Sequence, residues 1–137
     1  MSSIRTAALV LAIEDEPDLR RLLGIIFGHA GYEVAEASDG EEGLRVFAQR
    51  QPDVVVLDIG LPVLDGWQVL ARIRAGSDVP VLLLTARAME AEKERALEAG
   101  ANDYVTKPFR RRDLVARIES LVGPADATKI SGESSTT

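Results

Sequence analysis

Five strand-length apolar runs alternate along this chain with five segments of helical period. Ala7 to Ile13 is almost unbroken hydrocarbon, as a strand covered on both faces should be, and Val54 to Leu57 is the same. Tyr32 to Ala37, Val79 to Leu84 and Ala101 to Thr106 are the other runs. After the first run, Leu19, Leu22, Leu23, Ile26 and Phe27 recur at i, i+3, i+4, i+7 and i+8, one face of a helix. Pro17 suits the first turn of that helix, and Gly28 and Gly31 can end it. A second helix has two capping frames, Ser38 with Glu41 or Asp39 with Glu42, and runs to Arg50 with Leu44, Phe47 and Ala48 facing in. Asp65 to Arg74 is a third helix, burying Trp67, Leu70 and Ile73, with Asp65 as its possible cap. Glu90 to Ala99 is a fourth, rich in Glu and Ala and poor in large apolar side chains. Leu114, Val115, Ile118, Leu121 and Val122 mark the fifth.

This alternation predicts a parallel α/β sandwich with right-handed crossovers. The 137 residues support one core. Beyond Gly123-Pro124 the periodicity stops and small polar residues take over, so Gly123 to Thr137 reads as a flexible tail or truncated linker. The net charge of −6, from 16 basic and 22 acidic residues, argues against nucleic-acid binding within this chain. Arg110-Arg111-Arg112 reads as a solvated helix start, although three arginines there oppose the helix dipole. Absence of cysteine excludes disulfides and thiolate metal sites. With no long apolar run and no leader-like segment, a cytoplasmic protein without membrane contact is expected.

Parallel sheets bind ligands beyond the carboxyl ends of their strands, where strand order reverses. At those ends stand Glu14-Asp15-Glu16, Asp58, Thr85-Ala86 and Thr106-Lys107-Pro108. Two carboxylates about 4 Å apart repel by roughly 4 kcal/mol at an effective dielectric of 20. Lys107 offsets one charge only, so Glu14, Asp15 and Asp58 require raised pKa values or a divalent cation. Oxygen donors of this kind favour Mg²⁺. Dinucleotide binding is disfavoured, because the first strand–helix turn carries acids where a phosphate cradle needs glycines. Beside a cation, Asp58 can act as a nucleophile toward a phosphoryl group, with Lys107 and the Thr85 hydroxyl on its oxygens; the product is an acyl phosphate.

The stretches "EDEPDLRRLL", "VVVLDIGLPVLDGW", "LLLTA" and "AGANDYVTKPF", in this order and spacing, resemble a two-component response-regulator receiver domain over residues 4 to 122. The resemblance implies a flavodoxin-like, doubly wound five-stranded sheet of order 2-1-3-4-5 with five helices. It implies Asp58 as phospho-acceptor, served by a histidine kinase or phosphotransfer protein. It also implies Mg²⁺ on Asp15, Asp58 and the Gly60 carbonyl, with Glu14 acting through water. Thr85 and Lys107 would hold the phosphoryl group, and Thr85 with Tyr104 would switch the face of helix four, strand five and helix five toward a downstream protein target. Such a protein is no enzyme beyond its own phosphoryl transfer and slow autodephosphorylation. Gly60 and Arg87 are expected to tune water access to the acyl phosphate.

The subgroup most similar dimerises through that face, and Lys93 with Asp113 and Asp103 with Arg117 match its cross-dimer ion pairs. Glu98 facing Glu119 is like-charged, which opposes a tight homodimer and leaves dimerisation open. Two rivals compete with a phospho-accepting receiver. A phosphatase using an aspartyl-phosphate needs a second acid two residues after the nucleophile, and Gly60 stands there. A phosphorylation-independent interaction module would usually lack Asp58, Lys107 or an early acid, and all are present. An output domain beyond this sequence is compatible with everything above. Glu16 and Asp18 read as solvated acids, and His29 as a helix C-terminal residue favoured by the dipole.

Overall fold

A computed structural model describes residues 7–86 and 93–124. The ends of the expected domain before residue 7, Arg87, the start of the fourth helix and the tail beyond residue 124 lie outside the described residues. The sheet strands are β1 (Leu9–Ile13), β2 (Glu33–Ala37), β3 (Val54–Asp58), β4 (Val81–Ala86) and β5 (Asp103–Lys107). Between and after them run α1 (Pro17–His29), α2 (Gly40–Arg50), α3 (Gly66–Arg74), α4 (Lys93–Glu98) and α5 (Arg111–Val122). All strand pairings are parallel, in the order β2-β1-β3-β4-β5. This is the expected doubly wound sheet, with its order reversing between β1 and β3.

β1 and β3 read as continuous apolar runs because both of their faces are covered, and every residue in them is buried. Leu9, Leu11, Ile13, Val55 and Leu57 meet α2, α3 and α4 on one side. Ala8, Val10, Ala12, Val54 and Val56 meet α1 and α5 on the other. Edge strand β2 alternates, burying Ala35 and Ala37 and exposing Glu33 and Glu36. A long-range tie crosses the second layer: the Tyr32 hydroxyl donates to the Gly123 carbonyl at 2.9 Å, joining the end of α5 to the start of β2.

The helix faces correct three expectations. Leu22 is 43% exposed, and α1 buries the narrower stripe Leu23, Ile26 and Phe27. Ala48 is exposed as well; Val46 packs inward with Leu44 and Phe47, while Gly40 and Gly43 form the buried stripe of α2. Trp67 is half-buried rather than core. β4 and β5 also start and end later than their apolar runs, so Thr85 and Lys107 lie inside them. Asp39 is the cap of α2, accepting from Glu42 N–H at 2.8 Å, so the second capping frame is the one used. Gly31, at φ 99°, turns the chain out of α1. Among the described residues no helix is long and apolar enough to cross a membrane.

Candidate functional site

Register alone assembles the site. Ile13 pairs with Leu57, so Glu14 and Asp58 leave adjacent central strands side by side. Asp58 pairs with Leu84, and Thr85 and Ala86 pair with Thr106 and Lys107. Hydrogen bonds extend the ladders past the strand ends, from Glu14 N–H to Ala37 O and from Ile59 N–H to Leu84 O, each 3.0 Å. Glu14 and Asp58 therefore stand on hydrogen-bonded backbone at the rim.

Glu14 is 1% exposed, Thr85 5% and Asp58 6%; Asp15 is open to solvent. One carboxylate oxygen from each of Glu14, Asp15 and Asp58 lies within 4.8 Å of the others. Lys107 Nζ reaches over from β5 to 3.3 Å from Asp58 Oδ1 and 3.6 Å from Glu14 Oε1, so it serves two acids at once. Asp58 Oδ1 also accepts from Gly60 N–H at 3.1 Å. Glu14 Oε2 accepts from Glu16 N–H at 3.1 Å, whereas its buried Oε1 accepts no hydrogen bond. Burial first, and the Asp58 charge second, push the Glu14 carboxyl up to about 7. A buried, unsatisfied carboxylate oxygen in a cluster of hard oxygen donors is the arrangement a small divalent cation relieves. The residues present fit Mg²⁺.

The loops are tailored to this rim. Glu16, expected to be merely solvated, caps α1 by accepting from Leu19 N–H at 2.7 Å, with Pro17 in the first turn. Asp65 closes a reciprocal capping box with Gln68 at the start of α3. A Cβ on Gly66 would come within 2.4 Å of the Ile59 backbone, so only glycine lets α3 start so close to β3. Between them, Val63 holds φ 62° and is 97% exposed. A β-branched residue in the left-handed region is strained. Val63→Gly is therefore expected to stabilise the protein by about 0.5–1 kcal/mol, read as a higher urea midpoint. A lower midpoint would mean that the Val63 side chain makes a compensating contact.

On the far side of β5, Tyr104 is half-buried and Lys93 Nζ sits 5.3 Å from its ring centroid. Arg117 pairs with Asp103 within the chain, at 2.8 Å to both carboxylate oxygens. Among its described residues α4 buries only Ala96, and it lays the Arg95 guanidinium 4.0 Å over the Trp67 ring of α3. Arg110 offers no side-chain cap to α5.

The family profile described as "Response regulator receiver domain" matches residues 10–119. The chain belongs to that family. It is 46% identical over 119 residues to "Probable transcriptional regulator ycf27" of Guillardia theta, covering 87% of this chain and 47% of that protein. A putative response regulator from Chloroflexus aurantiacus superposes with TM-score 0.80 at 35% identity, covering 84% of this chain and 97% of that one. The receiver domain of the Pseudomonas aeruginosa sensor histidine kinase PA1611, solved with a magnesium ion in its active-site cleft, gives 0.77 at 34%, covering 85% and 98%. The chain spans about half the length of the curated relatives it matches.

Proposed function

We propose that Asp58 of this receiver domain accepts a phosphoryl group in a Mg²⁺-dependent reaction, and that the resulting acyl phosphate is its signal. The observation that carries this reading is Lys107 Nζ at 3.3 Å from Asp58 Oδ1, with two further acids gathered within 4.8 Å. Asp58 attacks phosphorus through a carboxylate oxygen, and the electron pair of the broken bond leaves with the donor, a histidine kinase or phosphotransfer protein. Lys107 supplies a point charge to the phosphoryl oxygens, and Thr85, at the end of β4, supplies a hydroxyl. Asp15, Asp58 and the Gly60 carbonyl would hold Mg²⁺, with Glu14 acting through water. When bound, the cation neutralises charge that builds on the transferred group. The magnesium in the cleft of the Pseudomonas aeruginosa receiver supports that choice of cofactor.

The switch follows the charge. Phosphorylation adds about −1.5 to −2 charges and new acceptors. Thr85 moves toward them and Tyr104 takes the vacated space, so α4, β5 and α5 present a different face to a downstream protein. α4 suits this role, because among its described residues only Ala96 is buried. Since Asp103 and Arg117 already pair within the chain, a dimer through this face would have to exchange that pair. We read the chain as no enzyme toward other substrates.

Intact mass after incubation with acetyl phosphate tests the reading. One phosphoryl increment with Mg²⁺ and none in EDTA is expected. No increment in either would leave a receiver fold used only for binding.

A further inference from the structure

An arginine behind the acidic turn takes no part in the phosphoryl transfer itself. Arg20, on the first turns of α1, donates from one guanidinium nitrogen to the Glu14 carbonyl at 2.9 Å and reaches the Asp15 carbonyl at 3.5 Å. These are the carbonyls of two consecutive residues whose side chains both enter the acid cluster. The 2.9 Å bond holds the Glu14–Asp15 peptide plane, and with it the direction in which the exposed Asp15 side chain leaves the backbone; the longer contact to the Asp15 carbonyl adds only weakly. Asp15 needs such a device. Glu14 is buried and held by Glu16 N–H, and Asp58 stands on a strand, but the solvent-exposed Asp15 has no comparable packing.

The arginine is itself held from the edge strand. Glu36 Oε1 of β2 lies 3.8 Å from Arg20 Nε. Room for that carboxylate depends on Gly24, one turn further along α1, where a Cβ would stand 2.5 Å from Glu36 Oε2. Glu36 also offsets part of the charge of Arg20, so the guanidinium acts on the turn through its geometry as well as its field.

We propose that Arg20, seated by Glu36 over Gly24, is a positioning residue that aims Asp15 at the divalent cation. The inference rests on the reading of the acid cluster as a Mg²⁺ site. Loss of an outer-shell partner typically weakens a metal by about 10–100-fold, and Arg20→Gln is expected to weaken Mg²⁺ at the low end of that range, about tenfold. Arg20→Lys keeps the charge but not the fork, and is expected to behave like Arg20→Gln.

Gly24→Ala separates positioning from mere structural support. Alanine favours the helix, so the urea midpoint is expected to hold or rise, yet displaced Glu36 frees Arg20 and Mg²⁺ affinity falls. Calorimetric Mg²⁺ titration of wild type and the three variants, beside their urea midpoints, decides the matter. Binding by wild type with unchanged affinity in Arg20→Gln, or in Gly24→Ala, overturns the positioning role alone. Full retention in Arg20→Lys overturns it too, leaving a charge effect. No Mg²⁺ binding by wild type would instead overturn the metal site and this inference with it.

Discussion

Asp58→Asn is expected to accept no phosphoryl group under any condition and, in EDTA at pH 8, to be about 1–2 kcal/mol more stable than wild type. The first outcome is chemical: the amide has no anionic oxygen to attack phosphorus. The second follows from the crowding. One oxygen from each of Glu14 and Asp15 lies within 4.8 Å of Asp58, and each such pair repels by about 3.5 kcal/mol or more at an effective dielectric of 20. Lys107, at 3.3 Å, returns about 5 kcal/mol. The two repulsions outweigh the one attraction, and the Asn carbonyl can still accept from Gly60 N–H. Urea denaturation in EDTA reads the difference. A less stable Asp58→Asn would mean that Lys107 depends on Asp58 more than the acids disturb it. The same comparison in saturating Mg²⁺ is expected to reverse, because the variant gives up a metal ligand.

Much of this site was legible in the residues. The unbroken hydrocarbon of β1 and β3 announces strands buried on both faces, and the polar residues that end them can only stand at the sheet's rim. Register then turns sequence distance into proximity, bringing Glu14, Asp58, Thr85 and Lys107 together. What the residues could not tell were features without a pattern. Leu22 repeats the helical period perfectly and is nevertheless exposed, because α1 meets the sheet along a narrower stripe than its apolar residues span. Glu16 caps a helix with a side chain longer than the usual capping residues. Val63 adopts a glycine-like conformation that a β-branched residue gives no reason to expect. Arg20 acts through backbone carbonyls, and contacts of that kind leave no signature in side-chain spacing.

The two sides of β4 are built differently. Toward β1 and β3, Glu14 and Asp58 stand on backbone paired to neighbouring strands. Toward α4, Ala96 is the one buried side chain among the helix's described residues, and the switch we propose at Thr85 and Tyr104 would act there. A change from 1:99 to 99:1 requires about 5.5 kcal/mol of differential interaction. The acyl phosphate we propose on Asp58 would draw a large part of that from Lys107 and Thr85.

The acids also set how the protein responds to pH without its cation. Glu14 in the folded chain holds its proton up to about pH 7, against 4.5 for a free glutamate, because burial and the Asp58 charge disfavour its anion. Between those values the folded state binds more protons than the unfolded state, so the free energy of unfolding falls as pH rises. At about 1.4 kcal/mol for each pH unit, stability in EDTA is expected to drop by about 3 kcal/mol across this window and to level off above pH 7. Other groups add their own slopes, so the contrast to measure is with Glu14→Gln, which cannot ionise and should lack this component. Saturating Mg²⁺ is expected to flatten the wild-type loss, since a cation offsets the charge that the departing proton leaves behind. By the same linkage Mg²⁺ affinity should weaken as pH falls below 7, approaching about tenfold for each pH unit, and do so less in Glu14→Gln. Urea midpoints from pH 4.5 to 8, with EDTA and with Mg²⁺, test both halves together. Parallel curves for wild type and Glu14→Gln would mean that Glu14 keeps its charge in the folded protein, and that Lys107, 3.6 Å from its free oxygen, is enough to hold it there.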